Sequence, residues 1–259
     1  AKEKFELSEG IVSKIIKNIR TDFDQLLMID YEKNSETILC QIFNNDGSRA
    51  YQCGNGLRAI MLYLNSKYSY FKISVDIANK KYSVTIDDKK VITASMGSPR
   101  AFKLVDNSVC YLDSFEKQNV HINLIDHPIH FYLIDLGNKH CVVVDECTKN
   151  EKNIIIDYFN NCYKNLLNIE FLDKPNDIFN LERDKFSVTV HEAGAGWTQS
   201  CGSGATAVAS IFYEVHGKQV ADKSISIKQD GGELIVKKKG RGLLLSGPST
   251  IEYEATINV

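Results

Sequence analysis

Proline is scarce: the 259-residue chain holds 4. No stretch is rich in Pro, Gly and Ser, so nothing in the sequence reads as a flexible tether. Net charge is nearly absent, at −2. The densest basic cluster, Lys237-Lys238-Lys239-Gly240-Arg241, reads as the solvated end of a hairpin. Nucleic-acid binding needs a broader basic face, so no nucleic-acid partner is expected. No apolar run approaches the roughly 20 residues that span a bilayer; neither a signal peptide nor a membrane partner is expected. Disulfide and zinc patterns are missing as well. The 7 cysteines are odd in number and irregularly spaced, a poor disulfide framework, and none forms a CxxC pair, which leaves a zinc site without support. A reducing cytoplasm and no bound metal are the simplest expectations. The hydrophobic share of 43% and charged share of 25% are those of a globular protein, with chain enough for one large domain or two ordinary ones.

The chain repeats itself. Ile38–Leu64 aligns without a gap over Phe186–Phe212. Each copy starts with alternating, strand-like sequence, turns through Gly, Asn or Asp, reaches Cys-Gly-(Asn/Ser)-Gly, and runs into an apolar segment of helical length. Cys53 falls on Cys201, Gly54 on Gly202 and Gly56 on Gly204. Downstream of each copy comes a strand-turn-strand-turn-strand pattern. So long a period is no solenoid; it predicts two homologous domains. Residues 8–20 have amphipathic helix spacing, with Ser8 as N-cap and Glu9 in the first turn. Residues 150–166 read as a second such helix, and residues 25–30, 129–136 and 140–145 as strands. A short crossing strand is expected near 100–112.

A Cys-Gly-x-Gly turn at a helix start is chemically loaded. The first turn leaves backbone N–H groups unpaired, and the helix dipole adds partial positive charge. A thiol there is expected to have a depressed pKa, and the glycines admit a ligand close to the backbone. One such turn could be merely a cap with a buried thiol. Two in a duplicated chain predict two thiols acting on opposite faces of one α-carbon, one removing a proton and the other delivering one.

At these residues the sequence resembles the diaminopimelate epimerase family. The motifs are FDQLL at 23–27, FNxDGSxxxQCGNGxR at 43–58, GNxHCVV at 137–143, ExGAGxTQxCGSGA at 192–205 and GGxLxV at 231–236. The resemblance implies a cofactor-independent isomerase of lysine and peptidoglycan precursor synthesis, cytoplasmic and homodimeric, acting on the small molecule diaminopimelate. It implies an α/β (α+β) fold of two pseudo-symmetric domains, each a curled mixed sheet around a central helix, with the active site at their interface. The first domain is expected over 1–107, completed by a C-terminal strand at 250–259, and the second over 108–249. Cys53 and Cys201 are the implied acid and base, with His140 and Glu192 assisting. Implied substrate contacts are Gln25, Asn44, Gly54, Asn55, Asn138, Asn176, Gly202 and Ser203.

Three departures stand out. The chain begins after the family's His-Gly-x-Gly-Asn-Asp-Phe motif. Ala193 stands where family members carry an arginine for the distal carboxylate. Trp197 replaces the glutamate of GAGET. Ala193 and Trp197 keep open a racemase of another amino acid; a third reading is a non-catalytic amino-acid-binding relative, against which the two cysteines argue.

Overall fold

The computed structural model describes residues 9–19, 22–31, 37–105 and 108–256. The expected N-cap Ser8 lies outside them. The chain divides into two compact units, Ala1–Ser95 with Gly247–Val259, and Met96–Ser246. The division falls earlier than the expected boundary at residue 107, because residues 100–105 and 108–111 pair as antiparallel strands in the second unit. No strand forms over residues 248–256, which corrects the expected C-terminal strand over its described part.

In the first unit the order is α1 (Glu9–Asn18), β1 (Gln25–Asp30), β2 (Thr37–Asn44), β3 (Arg49–Ala50), α2 (Gly54–Tyr68), β4 (Lys72–Ile77), β5 (Lys80–Ile86) and β6 (Ile92–Gly97). Helix α1 buries Val12 and Ile15 and leaves Ile11 exposed, the one-sided burial of an amphipathic helix. Strand β2 pairs antiparallel with β1 and β3 and parallel with β4. Strands β4, β5 and β6 form an antiparallel meander. Ala78 and Asn79 make the first of its turns, both with positive φ, as a two-residue hairpin loop requires. Leu57, Ile60, Met61 and Leu64 are the buried apolar stripe of α2, and the helix packs on β4 and β5.

The second unit follows with β7 (Arg100–Val105), β8 (Ser108–Tyr111), β9 (Gln118–Val120), β10 (Ile129–Asp135), β11 (Lys139–Val143), α3 (Lys149–Tyr163), β12 (Leu167–Leu172), β13 (Lys185–Glu192), β14 (Gly196–Thr198), α4 (Gly202–His216), β15 (Ser224–Gln229), β16 (Gly232–Lys239) and β17 (Gly242–Gly247). Strand β11 pairs parallel with β12 across the α3 crossover, and β12 pairs antiparallel with β13. Helix α3 starts on a reciprocal cap in which Thr148 and Glu151 satisfy each other's backbone N–H groups.

Alternation along these strands sorts their side chains onto two faces. Cys141, Val143, Ile169 and Phe171 join Ile155, Ile156 and Phe159 of α3 in one apolar cluster. His140, Val142, Asn168 and Glu170 point the other way, to the face that carries α4, which packs on β10, β11 and β12. Every residue of α4 from Gly202 to Tyr213 is buried. A helix buried all round is a central helix.

Candidate active site

Each cysteine of the repeat caps a helix. Cys53 has extended backbone geometry at the start of α2, and its Sγ accepts the Gly56 N–H at 3.0 Å. Cys201 does the same for α4, accepting the Gly204 N–H at 3.3 Å. The glycines are required at these points. A Cβ on Gly56 would lie 2.3 Å from Leu27 Cδ2 and 3.0 Å from Cys53 Sγ; one on Gly204 would lie 2.5 Å from Glu170 Oε1.

Around Cys53, which is half-buried, the nearby charge is a cation. Arg58 donates to Gly54 O at 3.3 Å, Asn55 Oδ1 at 3.1 Å and Pro248 O at 3.4 Å. Burial pulls this guanidinium down to about 10, opposed by the negative charge Cys53 can carry. Gln25 donates to Asn44 Oδ1 at 2.9 Å, and Asn44 donates to Ser48 Oγ at 2.9 Å, so two expected substrate contacts are joined on the β1–β2 ladder.

Around Cys201 the charges are carboxylates. Its sulfur is 3.5 Å from Ser203 Oγ. Burial pushes the thiol well up, and the charges of Glu192 and Glu170 push it further, outweighing the hydrogen bonds from Ser203 and Gly204. The depressed pKa expected of a helix-start thiol is therefore corrected here: desolvation and two anions exceed the dipole. Glu192 is itself raised by burial, against hydrogen bonds from Thr198 and Cys201 that hold it down. Thr198 donates to Glu192 Oε1 at 2.5 Å. His140 and Glu170 are both fully buried, with Nδ1 and Oε1 2.7 Å apart. Asn138 lies half-buried in the turn between β10 and β11, its carbonyl accepting the Leu136 N–H at 3.0 Å. Gly202 lends its carbonyl to Thr206 Oγ1 at 2.8 Å. Among the described residues, no three His, Cys, Asp or Glu side chains gather as a metal site.

Three residues escaped the sequence reading. The asparagine beside His140 and Ala193 is Asn168, not Asn176: Asn168 is the ladder partner of His140 and accepts the Ala193 N–H at 3.0 Å. Asn176 is exposed on the 3-10 turn Pro175–Phe179. Glu170 is the second. The third is Gln229, which clamps the Cys201 peptide from both sides. It accepts the Cys201 N–H at 3.0 Å and donates to the Cys201 carbonyl at 3.3 Å, while Ser200 also donates to it at 2.9 Å.

The repeat supplies a signal for the first two. Leu27 pairs with Ile42 on β2, and Glu170 pairs with Val190 on β13. Ile42 and Val190 are aligned positions of the duplication, so Leu27 and Glu170 are counterparts. Two residues back on each strand, Gln25 and Asn168 are counterparts too. Trp197 does not belong to the cluster. It lies opposite His191 on the β13–β14 ladder and packs on His191 and Phe171, with centroids 5.5 and 6.0 Å away. That is the α3 face, away from Glu192 and Thr198, because alternation along β13 puts His191 and Glu192 on opposite faces.

A family model described as diaminopimelate epimerase matches residues 132–251. The diaminopimelate epimerase of Buchnera aphidicola subsp. Acyrthosiphon pisum (strain 5A) is 30% identical over 262 residues, covering 96% of this chain and 88% of its own. That of Blochmanniella floridana is 28% identical over 247 residues, covering 92% and 85%. Among solved structures, a predicted epimerase from Pseudomonas aeruginosa superposes with a TM-score of 0.60 at 10% identity, covering 93% of this chain and 84% of its own. A hydroxyproline epimerase from Agrobacterium vitis with bound trans-4-OH-L-proline gives 0.59 at 11%, covering 86% and 71%. At such identities the likeness concerns the fold, and that fold is the expected mixed α/β one.

Proposed function

We propose, for a chain that belongs to the diaminopimelate epimerase family and is an amino-acid epimerase, that it interconverts L,L- and meso-diaminopimelate with Cys53 and Cys201 as its acid and base. The observation that carries the reading is the pair of helix N-caps, each holding a sulfur on the backbone N–H of a glycine. In one direction the Cys53 thiolate takes the α-proton, leaving an electron pair that spreads onto the carboxylate. The Cys201 thiol delivers its proton to the opposite face. The products are the inverted α-carbon, a Cys53 thiol and a Cys201 thiolate, and the reverse direction exchanges the roles. The raised pKa of Cys201 suits it to begin as the acid.

Glu192 accepts the Cys201 hydrogen bond and steadies the thiol form of the sulfur. Gln25, Asn44, Asn138 and Asn168 supply polar contacts to substrate, with backbone N–H groups near Gly54, Asn55, Gly202 and Ser203 receiving its carboxylate. The same reading makes the chain a cytoplasmic homodimer, needing no cofactor, in lysine and peptidoglycan precursor synthesis.

A second reading, a racemase of a different amino acid, is favoured by one feature. Ala193 offers its backbone N–H to Asn168 and no cation to a distal carboxylate, where a fixed guanidinium gives bidentate recognition. Deuterium exchange at the α-carbon, run over a panel of amino acids with both diaminopimelate isomers, separates the two. The first reading expects exchange fastest with diaminopimelate. Exchange confined to another amino acid overturns it in favour of the second, and exchange with none overturns both.

A further inference from the structure

The counterpart of Glu170 in the first repeat is not acidic: the same ladder position holds Leu27. An apolar residue therefore satisfies the packing against the helix-start glycine, and the carboxylate answers another need. Its side chain is wholly buried, an environment that strongly disfavours an ionised carboxylate without a partner. One oxygen has its partner, the Nδ1 of His140 at 2.7 Å. The carboxylate lies against the first turn of α4, within 2.5 Å of where a Gly204 Cβ would stand, and there the helix dipole favours negative charge. The other nitrogen of the ring, Nε2, is buried with no hydrogen-bonding partner among the described residues. A buried polar atom left open is costly, which is the signature of a group waiting for an atom that arrives with a ligand.

We infer that Glu170 is a positioning residue for the proposed epimerisation: by accepting the Nδ1–H of His140 it fixes the ring tautomer that leaves Nε2 as an acceptor for an N–H or S–H donor at the site. The inference rests on the reading of the previous subsection. Two steps connect the geometry to it. A carboxylate that only accepts selects the Nδ1–H tautomer, as the second partner of an imidazole commonly does. If Nε2 then takes up a proton, the resulting imidazolium forms a close ion pair with Glu170, so a charge can exist at a place that would otherwise exclude it. The ring accepts one proton and returns it, with no net change. The anion also adds to the field that keeps Cys201 protonated, which ties the dyad to the thiol assigned as acid.

The test replaces Glu170 by its counterpart, Glu170→Leu, and by the isosteric Glu170→Gln, in the full chain. The first readout is the tautomer of His140 from its ring ¹⁵N shifts, without substrate, assigned by difference against His140→Gln. The wild type is expected to show a protonated Nδ1 and a bare Nε2. Glu170→Leu is expected to populate Nε2–H instead. The second readout is kinetic: a loss of about 10–100-fold in kcat with KM nearly unchanged, with Glu170→Gln keeping the packing yet recovering little of the rate. Should Glu170→Leu fail to fold, the wild-type tautomer and the Glu170→Gln rate carry the two readouts, since a glutamine amide oxygen can also accept the Nδ1–H. A wild-type ring with Nε2–H, or a tautomer shift without any change in kcat, overturns the inference. A wild type that exchanges no amino-acid α-proton overturns the functional reading instead, and the positioning role is then judged on the tautomer alone.

Discussion

The two Cys-Gly-x-Gly turns share backbone geometry and differ in charge. Around Cys53 stands a buried guanidinium, Arg58, held by carbonyls and the Asn55 side chain. Around Cys201 stand two carboxylates and a histidine, and the thiol is buried and raised. Duplication preserved what the backbone does, which is to hold a sulfur over a helix start. It did not preserve the charges that stand around that sulfur. A reaction that needs one acid and one base at any instant would gain from such unlike surroundings for its two thiols.

The largest expected effect comes from removing either sulfur. Cys53→Ala and Cys201→Ala should each lower epimerisation by at least the 10²–10⁴-fold typically contributed by a general acid or base, in both directions, measured as inversion of configuration. Loss in only one of the two variants would make the other turn a structural copy.

Next is the Gln229 clamp on the second turn. Gln229→Leu leaves the Cys201 N–H and carbonyl without this partner in a buried place. Denaturant titration should show a loss of about 1–3 kcal/mol, and a loss near zero would mean that the Cys201 turn holds itself.

The carboxylate environment has a pH signature. Glu192 is raised in the folded chain, so between its unfolded value, about 4.3 for glutamate, and its raised value the folded state binds more protons than the unfolded one. Stability must then fall as pH rises through that window. In Glu192→Gln this contribution should vanish, leaving the variant more stable than wild type at neutral pH while its epimerisation is impaired. Parallel stability curves for the two proteins would remove Glu192 from the electrostatics of Cys201.

Much of this was legible in the sequence. The gapless repeat announced two units, and its two Cys-Gly-x-Gly turns were read as helix starts, where Cys53 and Cys201 stand. The misses have physical causes. The duplication stops being gapless upstream of Ile38 and Phe186, since the strand before each is joined by a connection of its own length. In the second unit that connection carries the 3-10 turn Pro175–Phe179. Asn168 and Glu170 therefore surface as counterparts of Gln25 and Leu27 only once strand register is known. The raised thiol of Cys201 was illegible for a related reason. The helix dipole is a local property, readable from a motif, whereas burial and the charge of Glu170 come from residues distant in the chain. The C-terminal strand was expected from resemblance alone, and its described part forms none.

The smallest effect concerns Trp197, the most conspicuous departure from the family motif. It packs with His191 and Phe171 on the α3 face, so Trp197→Glu should leave relative rates across an amino-acid panel unchanged. A reordered panel would mean that the α3 face communicates with the substrate.

The central claim is that two thiols act on opposite faces of one α-carbon, and stereochemistry tests it most directly. Cys53→Ser and Cys201→Ser each keep a hydroxyl in place of the sulfur, a far poorer base that can still occupy an acid's position. Each variant should lose inversion yet retain some α-proton exchange with a single stereoisomer, the one whose proton faces the remaining cysteine. The two variants should prefer opposite stereoisomers, whichever amino acid serves as substrate. Exchange of the same stereoisomer by both would contradict the account, leaving one cysteine structural and His140 or Glu192 as the group to examine for the second face.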